Sequence, residues 1–222
     1  MYTIILVPSS LLAAEYLYTI KCKETPPTDR PLKYSSLTTK RYSENKAYLD
    51  RFERSVPITS LKAAIPNIDP SNIDEQSLAR RLAKQIWLTT WYQPQRYICE
   101  RVFKPIQEVD ANLTVSEIEK AKVQVGMDVS QHLVVDKIVG GYVQYTPRIP
   151  AEVDFQGPGG VVTFDVERRG DNVVFGIECA SVGIPQHGRV GWADWTQIYL
   201  HKIYSRLLLE GAVRRVLHGE GE

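Results

Sequence analysis

The spacing of apolar residues changes period along the chain, and each change predicts an element. After Pro70, residues Leu78, Leu82 and Ile86 recur at helical spacing behind Ser71 or Asp74 as cap, which predicts a helix ending near Trp91. Pro94 marks a break, and a second helical piece covers residues 95–102 before Pro105. Trp87, Trp91, Tyr92 and Tyr97 meet at the joint of this pair. Strand patterns then follow over residues 122–125, 131–139, 142–147, 152–155, 161–168 and 172–181. Gly140-Gly141 and Gly157-Pro158-Gly159-Gly160 supply turns between them. The run 195–218 has no proline and one interior glycine, and Asp194 with Gln197 resembles a capping box, so the chain closes on one long helix.

Alternation within the last two strands predicts their pairing. A turn centred on Arg169-Gly170 sets Val166 opposite Val173, Phe164 opposite Phe175 and Val162 opposite Ile177, which leaves one face wholly apolar. The other face then carries Asp165, Thr163 and Glu178 and reads as the wet side of the sheet. On the long helix, Leu200, Ile203, Tyr204, Leu207 and Leu208 form a stripe aimed at the sheet. Ile198, Leu209, Val213 and Val216 form a second stripe that needs a cover, either the N-terminal arm or a second copy of the chain.

Upstream, Tyr48, Phe52 and Val56 among charges predict a strand over residues 47–56. Residues 1–20 are mostly apolar, without a basic residue ahead of the apolar run and with Glu15 inside it, which fits neither a signal peptide nor a membrane span. They read as a short helix over 11–20 capped by Ser9 or Ser10, with a membrane-surface anchor as the lesser alternative. Pro26, Pro27 and Pro31 make residues 23–41 a linker or wrapped arm. Residues 1–46 are therefore an N-terminal helix and arm, and residues 47–222 the main domain.

Composition narrows the function classes. With 27 Lys plus Arg against 26 Asp plus Glu, the net charge is +1 and no basic stripe points to nucleic acid. Cys22, Cys99 and Cys179 are odd in number and far apart, which suits a reducing, cytoplasmic setting better than a disulfide framework. His132, His187, His201 and His218 lack ligand spacing, so neither a metal nor another cofactor is expected.

The order of one strand, two helices, a run of strands and one long helix resembles the START-like, helix-grip superfamily over residues 47–218. Glu100-Arg101, Val125-Gly126-Met127-Asp128 and Tyr204-Ser205-Arg206-Leu207-Leu208 also look like stretches of small fungal proteins of this architecture. The resemblance implies an α+β fold in which a curved antiparallel sheet grips the C-terminal helix around a cavity for a hydrophobic molecule. It implies no transferable catalytic set.

Nucleotide, zinc-protease and serine-hydrolase motifs are missing, and Gly157-Pro158-Gly159-Gly160 sits between strands with no Lys-Ser/Thr after it. His201 falls beside Leu208 and near Tyr204, at the edge of the sheet-facing stripe. It is the candidate acid or base, with Tyr204 as a hydrogen-bond donor to a carbonyl; the plainer reading is a boundary histidine bonded to backbone. Glu178 is a second candidate proton carrier, although the register favours a solvated carboxylate. Trp87, Trp91, Tyr97, Tyr142 and Tyr145 are candidates to line a pocket or to serve as ordinary core. His187 and Arg189, in the loop 183–191, would meet the polar end of a ligand if that loop is a lid. The expected function is a cofactor-independent cyclase or isomerase, a pericyclase included, acting on a hydrophobic natural-product intermediate. A lipid or polyketide carrier and a homodimeric scaffold are the alternatives.

Overall fold

The computed structural model describes residues 17–28, 48–65, 67–103, 114–130, 133–147, 159–182 and 192–218. Seven strands form one open, curved antiparallel sheet in an α+β arrangement with a C-terminal helix. The strands are β1 Cys22–Thr25, β2 Tyr48–Pro57, β3 Asp128–Ser130, β4 Leu133–Val139, β5 Tyr142–Pro147, β6 Gly159–Arg169 and β7 Asn172–Val182. Their spatial order is β1-β2-β7-β6-β5-β4-β3, so β1 pairs with β2, and β2 pairs with the last strand rather than with β3. The helices are α1 Ile58–Ala64, α2 Glu75–Leu88, α3 Gln93–Phe103, α4 Val115–Lys120 and α5 Trp192–Leu217.

Local chemistry accounts for the boundaries. Asp74 caps α2 by accepting from the Ser77 amide at 3.0 Å, and the predicted stripe of Leu78, Leu82 and Ile86 is fully buried. The expected break falls at residues 89–92, between α2 and α3, and Pro94 sits in the first turn of α3, where a missing amide proton costs nothing. Residues 122–125, expected as a strand, are irregular and end in a turn. The preceding α4 takes their place as regular structure, started by a reciprocal capping box between Thr114 and Glu117. Asp194 lies inside α5 and not ahead of it, since that helix begins at Trp192. Residues 17–19 are helical, as expected for the end of the N-terminal helix; residues 11–16 and 152–155 lie outside the described residues.

The β6–β7 register is shifted by two residues from the expected one: Val166 faces Phe175, Phe164 faces Ile177 and Val162 faces Cys179. The turn is Gly170-Asp171, with Gly170 at φ 62°, a left-handed conformation that glycine adopts without strain. A shift of two preserves which side chains share a face, so the apolar side was assigned correctly. It meets α2 and α5, and the main core lies between these layers.

The opposite face corrects the sequence reading, because Glu178, Thr163 and Asp165 are buried rather than wet. Arg51 on β2 makes this tolerable. Its guanidinium lies 2.7 Å from Asp165 and 3.2 Å from Glu178, and its Nε donates to Glu53 at 3.0 Å. The Thr28 amide and hydroxyl both donate to the Glu178 carboxylate, the hydroxyl at 2.7 Å. Charges from three adjacent strands therefore compensate one another under a cover that includes the arm at Thr28. Tyr142 belongs to this face as well and donates to Gln144 at 2.9 Å.

The second stripe of α5 is covered in part: Ile198 is half-buried, and the other three positions are enclosed. Leu209, Val213 and Val216 are fully buried within the one chain, in the cluster that includes α2 and the sheet. A second copy is not needed to cover these three.

Two outcomes follow from the outer face. A Cβ at Gly176 would sit 1.9 Å from Asp165 Oδ1 and 2.9 Å from Arg51 Nη2, so Gly176→Ala is expected to cost about 1–3 kcal/mol in urea denaturation. Burial raises the Glu178 carboxyl above its ordinary 4.5, despite the opposing Thr28 hydrogen bonds and the Arg51 charge. The folded state thus holds this proton more tightly than the unfolded chain; its contribution is complete below the ordinary value and is lost as pH rises through the raised one. Wild type should lose stability relative to Glu178→Gln as pH rises from the ordinary carboxylate value through the raised one, and a flat difference would contradict the assignment.

Candidate functional site

Between α5 and the apolar face of the sheet lies a cavity of about 430 Å³. The sheet supplies Leu133, Val162, Phe164, Ile177 and Cys179, and Trp87 of α2 closes one side. From α5 come Leu200, His201, Tyr204, Ser205 and Leu208, while α3 adds Gln95. Most of the wall is apolar, and the polar groups belong to the α5 side, Gln95 and Cys179.

Of the candidates from sequence, Trp87, His201 and Tyr204 reach this wall. Tyr145 lies just behind it, fully buried with its ring 5.0 Å from Trp87 and 5.5 Å from Phe164. Trp91 and Tyr97 are 40% and 54% exposed; Trp91 packs edge-on against Tyr18, and Tyr97 lies beneath the Arg101 guanidinium. Neither they nor Tyr142 lines the cavity. His187 and Arg189 lie outside the described residues. Glu178 points away from the cavity, into the Arg51 network.

The Tyr204 hydroxyl donates to Gln95 Oε1 at 2.5 Å, which ties α5 to the start of α3 and fixes the phenol at the wall. His201 Nε2 lies 3.3 Å from Asp50 Oδ1 and 3.3 Å from Oδ2. The plainer expectation, a bond from His201 to backbone, is replaced by this carboxylate pairing. Burial alone would lower the imidazole pKa, but hydrogen bonds to Asp50 and Cys179 outweigh it and push the value up to about 10. Burial raises the Cys179 thiol, against hydrogen bonds from His201 and Ser205. Tyr48 packs edge-on against the imidazole, with ring centroids 6.3 Å apart.

Asp50 and Cys179 escaped the sequence reading because they meet only through pairing of β2 with β7, where they are directly opposite. One signal was available: Asp50 and Arg54 alternate with Phe52 and Val56 on the core-facing side, and a charge at a core-facing position needs a reason. Arg54 has its own, an ion pair with buried Glu210 at 2.9 Å.

No protein-family model and no curated protein matches the chain. Among the described residues no helix is long and apolar enough to cross a membrane.

Proposed function

We propose that this protein is an enzyme that encloses a small hydrophobic molecule between its sheet and C-terminal helix and promotes its cyclisation or isomerisation. The observation that carries this reading is the cavity, within the size range of small-molecule sites and apolar apart from a few grouped polar side chains. A flexible intermediate with one oxygenated end would be held by shape along Val162, Phe164, Ile177 and Leu208. Its oxygen would meet His201, and also Tyr204 once the hydroxyl proton now given to Gln95 is redirected. Holding a reactive conformer and stabilising charge at one oxygen are together enough for a ring closure or double-bond shift without a protein nucleophile. The element order and the helix laid over the curved sheet support kinship with the helix-grip superfamily, and a polyketide- or polyene-like substrate is the class this cavity suits.

The test has two stages. The apolar fluorophore N-phenylnaphthylamine should bind wild type, and Val162→Trp, which fills the cavity, should weaken binding by about tenfold or more while circular dichroism shows the fold retained. Unchanged binding would remove the cavity as the site. With polyene and polyketide intermediates as substrates, His201→Leu and Tyr204→Phe should lower turnover far more than affinity. Equal loss of both would make the protein a carrier.

A further inference from the structure

Three side chains with different donor atoms converge at the inner wall of the cavity. The Cys179 sulfur, an imidazole nitrogen of His201 and a carboxylate oxygen of Asp50 all lie within 4.8 Å of one another. They come from β7, α5 and β2, and Cys179 and His201 both border the cavity. Asp50 is 3% exposed, and its Oδ2 is buried with no hydrogen bond, although the His201 ring nitrogen is 3.3 Å away. A carboxylate oxygen buried without a donor is costly unless something else meets it.

This arrangement is not a nucleophilic relay. In a Cys-His-Asp relay the thiol and the acid bind opposite ring nitrogens and stand on opposite sides of the imidazole. Here the sulfur and the carboxylate are close neighbours, paired directly across two strands. Donors gathered around a point instead of along a line are what a cation requires.

We propose that Asp50, Cys179 and His201 form a three-ligand site for a zinc-class divalent ion whose remaining coordination position opens into the cavity. The mixture of one sulfur, one nitrogen and one oxygen suits zinc better than calcium or magnesium, which take oxygen ligands. Tetrahedral zinc with ordinary bond lengths spaces its ligands roughly 3.3–3.8 Å apart. The 3.3 Å between His201 and Asp50 already meets that spacing, and the sulfur lies within 4.8 Å of both. Ser205 is buried, borders the cavity with Cys179, and would orient the sulfur as an outer-shell partner.

The inference deepens the preceding reading: the cavity and its polar end are the same, but a metal ion held by His201 would polarise the substrate oxygen in place of the imidazole itself. It also replaces the sequence-based expectation that no metal is bound.

The test uses the full chain, stripped with a chelator, and Co²⁺ alone as probe. Stoichiometric uptake should give the intense visible bands of tetrahedral cobalt together with a sulfur-to-cobalt charge-transfer band in the near ultraviolet. Cys179→Ser should abolish the charge-transfer band, and Asp50→Asn and His201→Gln should each weaken affinity at least about tenfold. Cys22→Ser, at the other buried free cysteine among the described residues, should change nothing. A weak octahedral spectrum, or one that Cys179→Ser leaves intact, overturns the proposal. Should the variants not fold, zinc-edge X-ray absorption of wild type decides: one sulfur neighbour among light atoms supports the site, and light atoms alone refute it. Fluorophore binding by the metal-free protein is measured separately, so loss of the metal site and loss of the cavity are distinguishable.

Discussion

The cavity exists because α5 is fastened firmly at one end and stands off the sheet at the other. In its C-terminal half, Leu209, Ala212, Val213 and Val216 are fully buried, and Gly211 brings the helix so near the α2–α3 joint that a Cβ would lie 3.1 Å from both Thr89 and Trp91. Glu210 adds direction to this packing: it is buried and accepts from Arg54 at 2.9 Å, from Arg214 at 2.8 Å and from Cys22 at 3.5 Å. The carboxylate thus joins α5 to both strands at one edge of the sheet. A buried carboxylate with two cationic partners has few alternative positions, which sets the angle at which the helix leaves the sheet. Over residues 198–204 the helix is only partly buried, and the space beneath Leu200, Tyr204 and Leu208 is the cavity.

The two faces of the sheet solve opposite problems. On the helix side, apolar side chains fill the core except where the wall recedes, and polar groups gather at one part of that wall. On the other side, charged residues are packed as closely as a core and neutralise one another around Arg51. Arg169 extends this network outward by gripping Glu53 at 2.8 and 2.9 Å. The pattern of charges is what permits β2, β7 and β6 to be covered on both sides and so to form a stiff platform. Asp50 and Cys179 stand on that platform, and a site whose ligands come from paired strands holds its geometry better than one built on loops.

Much of the architecture was legible from period and capping. The α2 stripe, the β5, β6 and β7 strands and the long final helix each carry a pattern that only one element satisfies. Less legible were the short elements. β1, four residues long, and β3, three residues long, have no period to detect and exist because neighbouring strands offer an edge. The register of β6 with β7 was missed by two residues because the apolar pattern repeats every two and distinguishes faces, not offsets. The wet-face reading failed for a related reason: alternation shows that Asp165 and Glu178 share a side, but not that Arg51 arrives from another strand to bury them.

The sequence by itself determined the class of fold, the apolar face of the sheet, the helix that covers it, and His201 and Tyr204 as polar positions at the edge of that contact. These are local properties, set by the spacing of residues within one element. Tertiary structure alone decided that a hollow remains under α5, that Leu209, Val213 and Val216 of its second stripe are covered from within the same chain, and that Asp50, Cys179 and His201 share one point. Those facts depend on contacts between residues separated by more than a hundred positions along the chain for two of the three pairs in the cluster, and no period in a linear sequence encodes such a distance.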